Sequence, residues 1–488
     1  MRIAIIYPPI RRQGAWPHLG QNRQFRFSFS DVKIYPMVPA SAATLLKKEG
    51  FTVLFLDGIN LRLTLKDFEK RLADFSPDLV VIETKTPIII FHWRYINKLK
   101  KKNPKVLVAL VGDHITALPS ESFENCQVDF CLTGGDWDLG LLSLANFLAR
   151  KKDKLTGGIF WREGKNIKNS GSLRLLENLD LLPFIDRDLT NWQIYGENYL
   201  LRPCTYILSG RGCGGIGKEA GACTFCVWQH TFWQRKARLR SPKNVVSEIK
   251  LLVEKYKVKE IFDDNESSGI WDQNWLKEFS QRMEKEGLVG QVFLSANARA
   301  DSLDSKRCKI LQKTGFRLLK VGLESGNEQT LKRINKKESL EQIKAGVKRA
   351  KDYGLVIMLT TMVGYPWESE KDVLKTFQIA KELMLYKTRA GDSLQSSILV
   401  PYPGTPLYEQ ALKEKWFTID PKDYQKFDME RPVLKTKINP GFWCKKMWQI
   451  HLSPKFLAKS LVTIHSLDEL RLLLRGAKSL LGHQRDYT

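Results

Sequence analysis

Three cysteines, Cys213, Cys223 and Cys226, lie in the segment SGRGCGGIGKEAGACTFCVW (209–228), just after the apolar run TYILSG. Three thiolates with a CxxC pair at one end bind either zinc or an iron–sulfur cluster. A structural zinc site takes four closed ligands, and no fourth residue has suitable spacing. His230 is near enough in sequence to keep a Cys3His set open as an alternative. A four-iron cubane held by only three cysteines leaves one iron free for an exogenous ligand. The other five cysteines (126, 131, 204, 308 and 444) are dispersed and read as small buried side chains. A disulfide framework is not expected in a chain of this kind.

Positioning such a site takes a scaffold, and the apolar pattern supplies one. The chain has 488 residues, 43% hydrophobic and 27% charged, the composition of a folded protein of two or three domains. Over residues 1–150, buried-strand patterns (IAIIY, TVLFLD, DLVVIET, VLVALVG, VDFCLTG) alternate with helical ones, which predicts a parallel, doubly wound sheet covered on both faces. Ligands of such sheets bind beyond the carboxyl ends of the strands. Residues 151–200 break the rhythm with a hairpin-like stretch and an extended linker. A second strand–helix series fills 201–420. Its six units predict a partial (β/α)6 barrel of the TIM type, with functional loops at the strand ends. Residues 421–488 form a helical, amphipathic tail rich in Trp, Leu and Lys.

The net charge is +25, spread in Lys pairs along the whole length rather than in one block. That reads as a solvated surface, and the chain shows no RNA-recognition signature, so a nucleic-acid partner is not expected. The N-terminal MRIAIIYPPI is too short for a signal peptide and reads as a first strand. No apolar stretch reaches the roughly 18–20 residues of a membrane span, so a cytoplasmic monomer is the expectation.

The residues also resemble a known family, the radical S-adenosylmethionine (radical SAM) enzymes with an N-terminal cobalamin-binding domain. CTFC matches the family's CxφC. The segments EIFDDN, NARAD, GLESG, VGYPWES and PYPGTPLY match its strand-end motifs in order. GDHITALP (112–119) resembles the family's GGxHxTALP loop, and LTGGDWDLGLLSLANFL (132–148) its GEGE segment. One feature departs from the pattern: nine residues separate Cys213 from Cys223 where the family has three, the excess being Gly- and Ala-rich.

The resemblance implies a [4Fe-4S] cluster on Cys213, Cys223 and Cys226, with S-adenosylmethionine on its open iron. Phe225 would lie beside the adenine and Asp263 and Asp264 near the methionine ammonium. Asn297, Arg299 and Glu324 would contact ribose and carboxylate, and Val363 and Gly364 the adenine. Read by chemistry alone, Asp263 and Asp264 could serve as helix caps, and Arg299 and Glu324 as an ion pair across adjacent strand ends. The family's cobalamin neighbours map to Pro8, Asp57, Gly112, His114, Thr116 and Gly134. The D-x-H-x-x-G motif is absent, which places His114 near the cofactor's edge rather than on cobalt. The implied reaction is methylation of an unactivated carbon of a small-molecule or lipid-like substrate, with electrons from a flavodoxin- or ferredoxin-type donor. Cyclisation or oxidation, RNA modification and a zinc-stapled binding protein are the alternatives. The tail resembles that of relatives acting on hydrophobic or tetrapyrrole-like substrates; its basic amphipathic character reads first as a helical cap packed over the barrel mouth, with peripheral contact with a membrane surface as the alternative.

Overall fold

Val, Ile and Leu fill the predicted strands, and in the computed structural model they are buried on both faces: Ile3–Ile6, Leu79–Ile82 and Val108–Val111 expose no surface. The structure describes all residues except 13, 21, 22, 216–222 and 488, so most of the Gly- and Ala-rich excess between Cys213 and Cys223 lies outside the described residues.

The first sheet begins with five parallel strands: Arg2–Tyr7, Thr52–Asp57, Leu79–Glu83, Leu107–Val111 and Phe130–Leu132. Their spatial order is second, first, third, fourth, fifth. The strand order therefore reverses between Arg2–Tyr7 and Leu79–Glu83, and a crevice opens beyond their carboxyl ends. The hairpin expected in the linker forms over Ile159–Glu163 and Asn166–Asn169. It does not stand apart, because it pairs antiparallel with Phe130–Leu132 and extends the same sheet to seven strands.

The second sheet has six strands in chain order, all parallel: Cys204–Ile207, Glu260–Asp263, Phe293–Ala298, Phe316–Glu324, Val356–Val363 and Ser393–Ile398. The helices between them start where the sequence supplies caps. Ser241 accepts from Asn244 N ahead of Pro242–Tyr256, Asp304 from Arg307 N ahead of Ser305–Thr314, and Ser339 forms a capping box ahead of Leu340–Asp352. The result is the predicted partial barrel.

The last strand would leave an unpaired edge. Helix Pro440–Trp448 packs against it, and its Leu394 N donates to His451 Nε2 at 3.0 Å. Helices Pro454–Leu461 and Leu467–Asp486 complete the tail. Among the elements not predicted, one bears on the site. After the first strand the chain makes a two-stranded ribbon, Trp16–His18 against Phe25–Ser28, which reaches both the barrel and the tail.

Candidate active site

The loop bearing Cys213 is fixed from below. Arg211 donates to Asp136 at 2.7 Å and to Asp138 at 2.6 Å, and Arg238 donates to Asp136 at 2.6 Å. All four side chains are buried. The acids come from the GGDWD loop of the first sheet, so this network docks the first domain onto the cysteine loop. Gly212 N and Gly214 N then donate to Glu266 and Ser267, at 3.0 and 2.8 Å.

Above it lies a cavity of about 260 Å³. Cys213, Cys223 and Cys226 all line it, together with Phe225 and Trp228. Burial raises all three thiols, Cys213 to about 12, while Arg299 and Lys336 pull Cys213 and Cys223 back toward the thiolate. A site of three half-buried cysteines beside two cations suits a group that takes thiolates and carries positive charge. Among the described residues no three His, Cys, Asp or Glu side chains are grouped to hold a single metal ion. His230 is committed elsewhere, its Nε2 bonded to Cys223 O at 3.2 Å, so the Cys3His arrangement is not formed. A cubane spreads its cysteines more widely than one ion does, and the donor set fits it.

Asp264, Asn297, Arg299 and Glu324 line the same cavity from three successive strand ends. The ion pair anticipated between Arg299 and Glu324 is not made. Arg299 instead binds Asp301 at 2.7 Å and Glu338 at 3.6 Å, and Glu324 meets Lys336 at 3.4 Å. Lys336 also reaches Glu338 at 3.4 Å, so the cations and carboxylates form one network. Glu324 holds a left-handed φ of 60° at a register shift, a strained conformation of the kind that collects at functional sites. Gly322 makes room for it, since a Cβ there would stand 2.0 Å from Glu324 Oε1.

Three expected residues lie elsewhere. Asp263 turns away to accept from Ser209 N at 2.9 Å and Asn265 N at 3.3 Å, so it braces the loop rather than capping a helix. Val363 is buried in a core shared with Ile398 and Trp443. Gly364 faces Pro440 of the tail. Thr360, Thr361 and Met362 line the cavity from that strand instead.

Sequence reasoning missed Glu266, Lys320, Lys336, Arg23 and Gln395, all of which line this cavity. Lys320 carried a readable signal, because Lys320, Gly322 and Glu324 alternate along one strand and face the cavity together. Burial and nearby Arg23 lower the Lys320 amine to about 8. Arg23 and Lys336 come from irregular loops with no such pattern.

A second cavity opens at the switch point of the first sheet, lined by Tyr7, Asp57 and Glu83 from its strand ends. Tyr7 donates to Glu83 across the reversal, and Asp57 accepts from Tyr195 at 2.8 Å and Asn60 at 2.7 Å. Trp228, Asp264 and Glu266 line both cavities, so the two adjoin. Burial raises Glu266 to about 7. Of the six residues expected around cobalamin, only Asp57 borders this cavity. His114 is held on both ring nitrogens, by Thr86 and Glu121 at 3.2 Å each, with Tyr424 packed against its ring. It serves the contact with the tail segment. Thr116 bonds Gly112 O at 2.8 Å and receives Gly134 N at 3.0 Å, tying two strand ends together, and Pro8 is buried beneath. Gly112 is required there, with φ 121° and a Cβ position only 2.1 Å from Thr84 O.

Residues 209–380 match the family model of the radical SAM superfamily. The chain carries a radical SAM domain. That domain covers the cysteine loop, Asp264, Glu266, Asn297, Arg299, Lys320, Glu324 and Lys336. Across nearly its whole length the chain is similar to an uncharacterized methyltransferase of Pyrococcus horikoshii, PH0819, with 27% identity over 88% of this chain and 90% of that one. It is also 24% identical to an anaerobic magnesium-protoporphyrin IX monomethyl ester cyclase of Rubrivivax gelatinosus, over 89% of this chain and 74% of the other. The fold, with its radical SAM domain set between a doubly wound domain and a tail, superposes on the radical S-adenosylmethionine methyltransferase TsrM of Kitasatospora setae. The TM-score is 0.69 at 15% identity, covering 99% of both chains.

Proposed function

We propose that this chain is a cobalamin-dependent radical SAM enzyme that methylates an unactivated carbon of a small or hydrophobic substrate. The observation that carries this reading is the junction of the two cavities. The three-cysteine site and the switch-point crevice share Trp228, Asp264 and Glu266 as a common wall. When bound, the [4Fe-4S] cluster supplies the electron that cleaves S-adenosylmethionine to a 5′-deoxyadenosyl radical, and cobalamin supplies a transferable methyl group.

The chain's own residues have separate tasks. Cys213, Cys223 and Cys226 would hold the cluster, and Arg299 and Lys336 offset the cost of the Cys213 and Cys223 thiolates. Glu324 and Asp264 present carboxyl groups to an ammonium or to ribose hydroxyls, Asn297 presents its amide, and Phe225 offers a face for adenine. Trp228 and the buried walls keep water from a reactive intermediate. Asp57, Tyr7 and Glu83 floor the crevice that would take the corrin. Rearrangement is required for that, because the crevice holds only about 50 Å³ here.

Two partners follow from surface chemistry. A net charge of +25 favours encounter with an acidic flavodoxin- or ferredoxin-type donor. Leu461, Leu467, Leu474 and Leu481 are 60–71% exposed on the basic tail, an arrangement suited to a membrane surface. No described helix is long and apolar enough to cross a membrane.

Anaerobic reconstitution with iron, sulfide and hydroxocobalamin tests the reading. It predicts about four irons and one cobalamin on the same chain. One zinc and no iron would reject it.

A further inference from the structure

The largest of the three cavities belongs to neither cofactor. It holds about 350 Å³ between the tail helices and the open edge of the barrel, and leucine is the commonest residue in its walls. Leu457, Leu472, Leu473 and Leu480 are among them. That volume falls in the range of small-molecule sites, roughly 300–1,000 Å³.

Three further observations point to a ligand. The first is His18, 5% exposed, on the ribbon that roofs the cavity. Neither of its ring nitrogens has a partner among the described residues, and burial holds the ring neutral, so it has one N–H to donate and one nitrogen to accept. The hydroxyls of Ser393 and Ser460 in the same walls are likewise unpartnered among the described residues. The second is continuity. Arg23 and Gln395 line both this cavity and the cysteine cavity, and His18 lines both this one and the switch-point crevice. The third is Gly476, inside the helix Leu467–Asp486, where glycine costs about 1 kcal/mol against alanine. Crowding does not require it, since a Cβ there would meet nothing within 4 Å. What glycine preserves is open volume in the cavity wall. Leu461 and Leu474 line the cavity and are 60% and 65% exposed, which makes its mouth apolar at the surface.

We infer that this cavity binds an elongated amphipathic molecule, its apolar body along the tail leucines and its hydrogen-bonding end at His18, beside Arg23 and Gln395. That this molecule is the substrate rests on the function proposed above. That the cavity binds it does not.

Fluorescence titration of the purified full-length chain with dansyl-undecanoic acid, in buffer without iron or S-adenosylmethionine, separates the two claims. Saturable binding at one site is expected. Gly476→Ala should bind within about twofold of the native chain, and Gly476→Trp at least about tenfold more weakly, with unchanged melting temperature. Competition needs no variant: dodecanol should displace the probe far better than dodecane, and His18→Phe should erase that preference. Absence of saturable binding, or equal affinity in Gly476→Trp, overturns the site. Equal displacement by dodecanol and dodecane overturns the polar end. Loss of radical chemistry in a separate assay would leave this result standing.

Discussion

Each of the three cysteines is expected to be indispensable to cluster loading and dispensable to the fold. Cys213→Ala, Cys223→Ala and Cys226→Ala should each fall below about one iron per chain after reconstitution while keeping the native melting temperature. Retention of full iron by Cys213→Ala would show that the long gap has displaced it. Glu324 is set apart by its strained backbone and its contact with Lys336. Glu324→Gln removes the charge and keeps the shape. S-adenosylmethionine should then bind at least about tenfold more weakly, about 1.4 kcal/mol, as read by equilibrium dialysis on the reconstituted chain. Unchanged affinity would make Glu324 a structural partner of Lys336 alone. At this scale the sequence was partly legible. Cys223, Cys226, Asn297 and Arg299 sit in short motifs with fixed offsets, and the structure brings them into one cavity. His114, expected at the cofactor's edge, has Glu121, Thr86 and Tyr424 around its ring, neighbours from loops and the tail that no local pattern announces. Lys336 and Arg23 could not be read, since no periodicity governs irregular loops.

Two contacts between elements determine how the site is held. The buried Arg211, Arg238, Asp136 and Asp138 network joins the first sheet to the cysteine loop. Removing one charge from a buried network strands its partners, at a cost of about 3–5 kcal/mol. Asp136→Asn should lower stability to urea by about that amount and loosen cluster retention, whereas Asp153→Asn, on an exposed bend, should do neither. The second contact is His451, which caps the barrel's edge strand through a neutral ring: Nδ1 bonds Trp448 O at 2.9 Å and Nε2 accepts from Leu394 N. Burial lowers it from 6.5 to about 4. The unfolded chain therefore takes up this proton first as pH falls, so the stability is complete above about 6.5 and is lost toward about 4. The native melting temperature should drop more steeply across that window than that of His451→Gln. Parallel curves would contradict the assignment. Strands and capped helices were readable because their periods and end signals are local. The ribbon at 16–28 was not, because its pairing is short and its partners lie in the barrel and the tail.

Taken whole, the molecule places a cysteine-lined cavity and a small adjoining crevice at the strand ends of its two sheets, and an apolar cavity beneath its tail. The two-domain order was visible in the alternation of apolar runs, and the partial barrel in its count of six units. What the alternation could not show was the third cavity, which exists only where the tail folds back over an open sheet edge. The zinc alternative also needed three dimensions, since His230 lies close in sequence but turns to a backbone carbonyl. The central claim, that the three cysteines hold a cluster that cleaves S-adenosylmethionine, is tested most directly by one measurement. The reconstituted chain is reduced anaerobically with dithionite in the presence of S-adenosylmethionine, and 5′-deoxyadenosine is quantified by mass spectrometry. The account predicts time-dependent release that disappears in Cys226→Ala. A fully loaded cluster that releases none would contradict it.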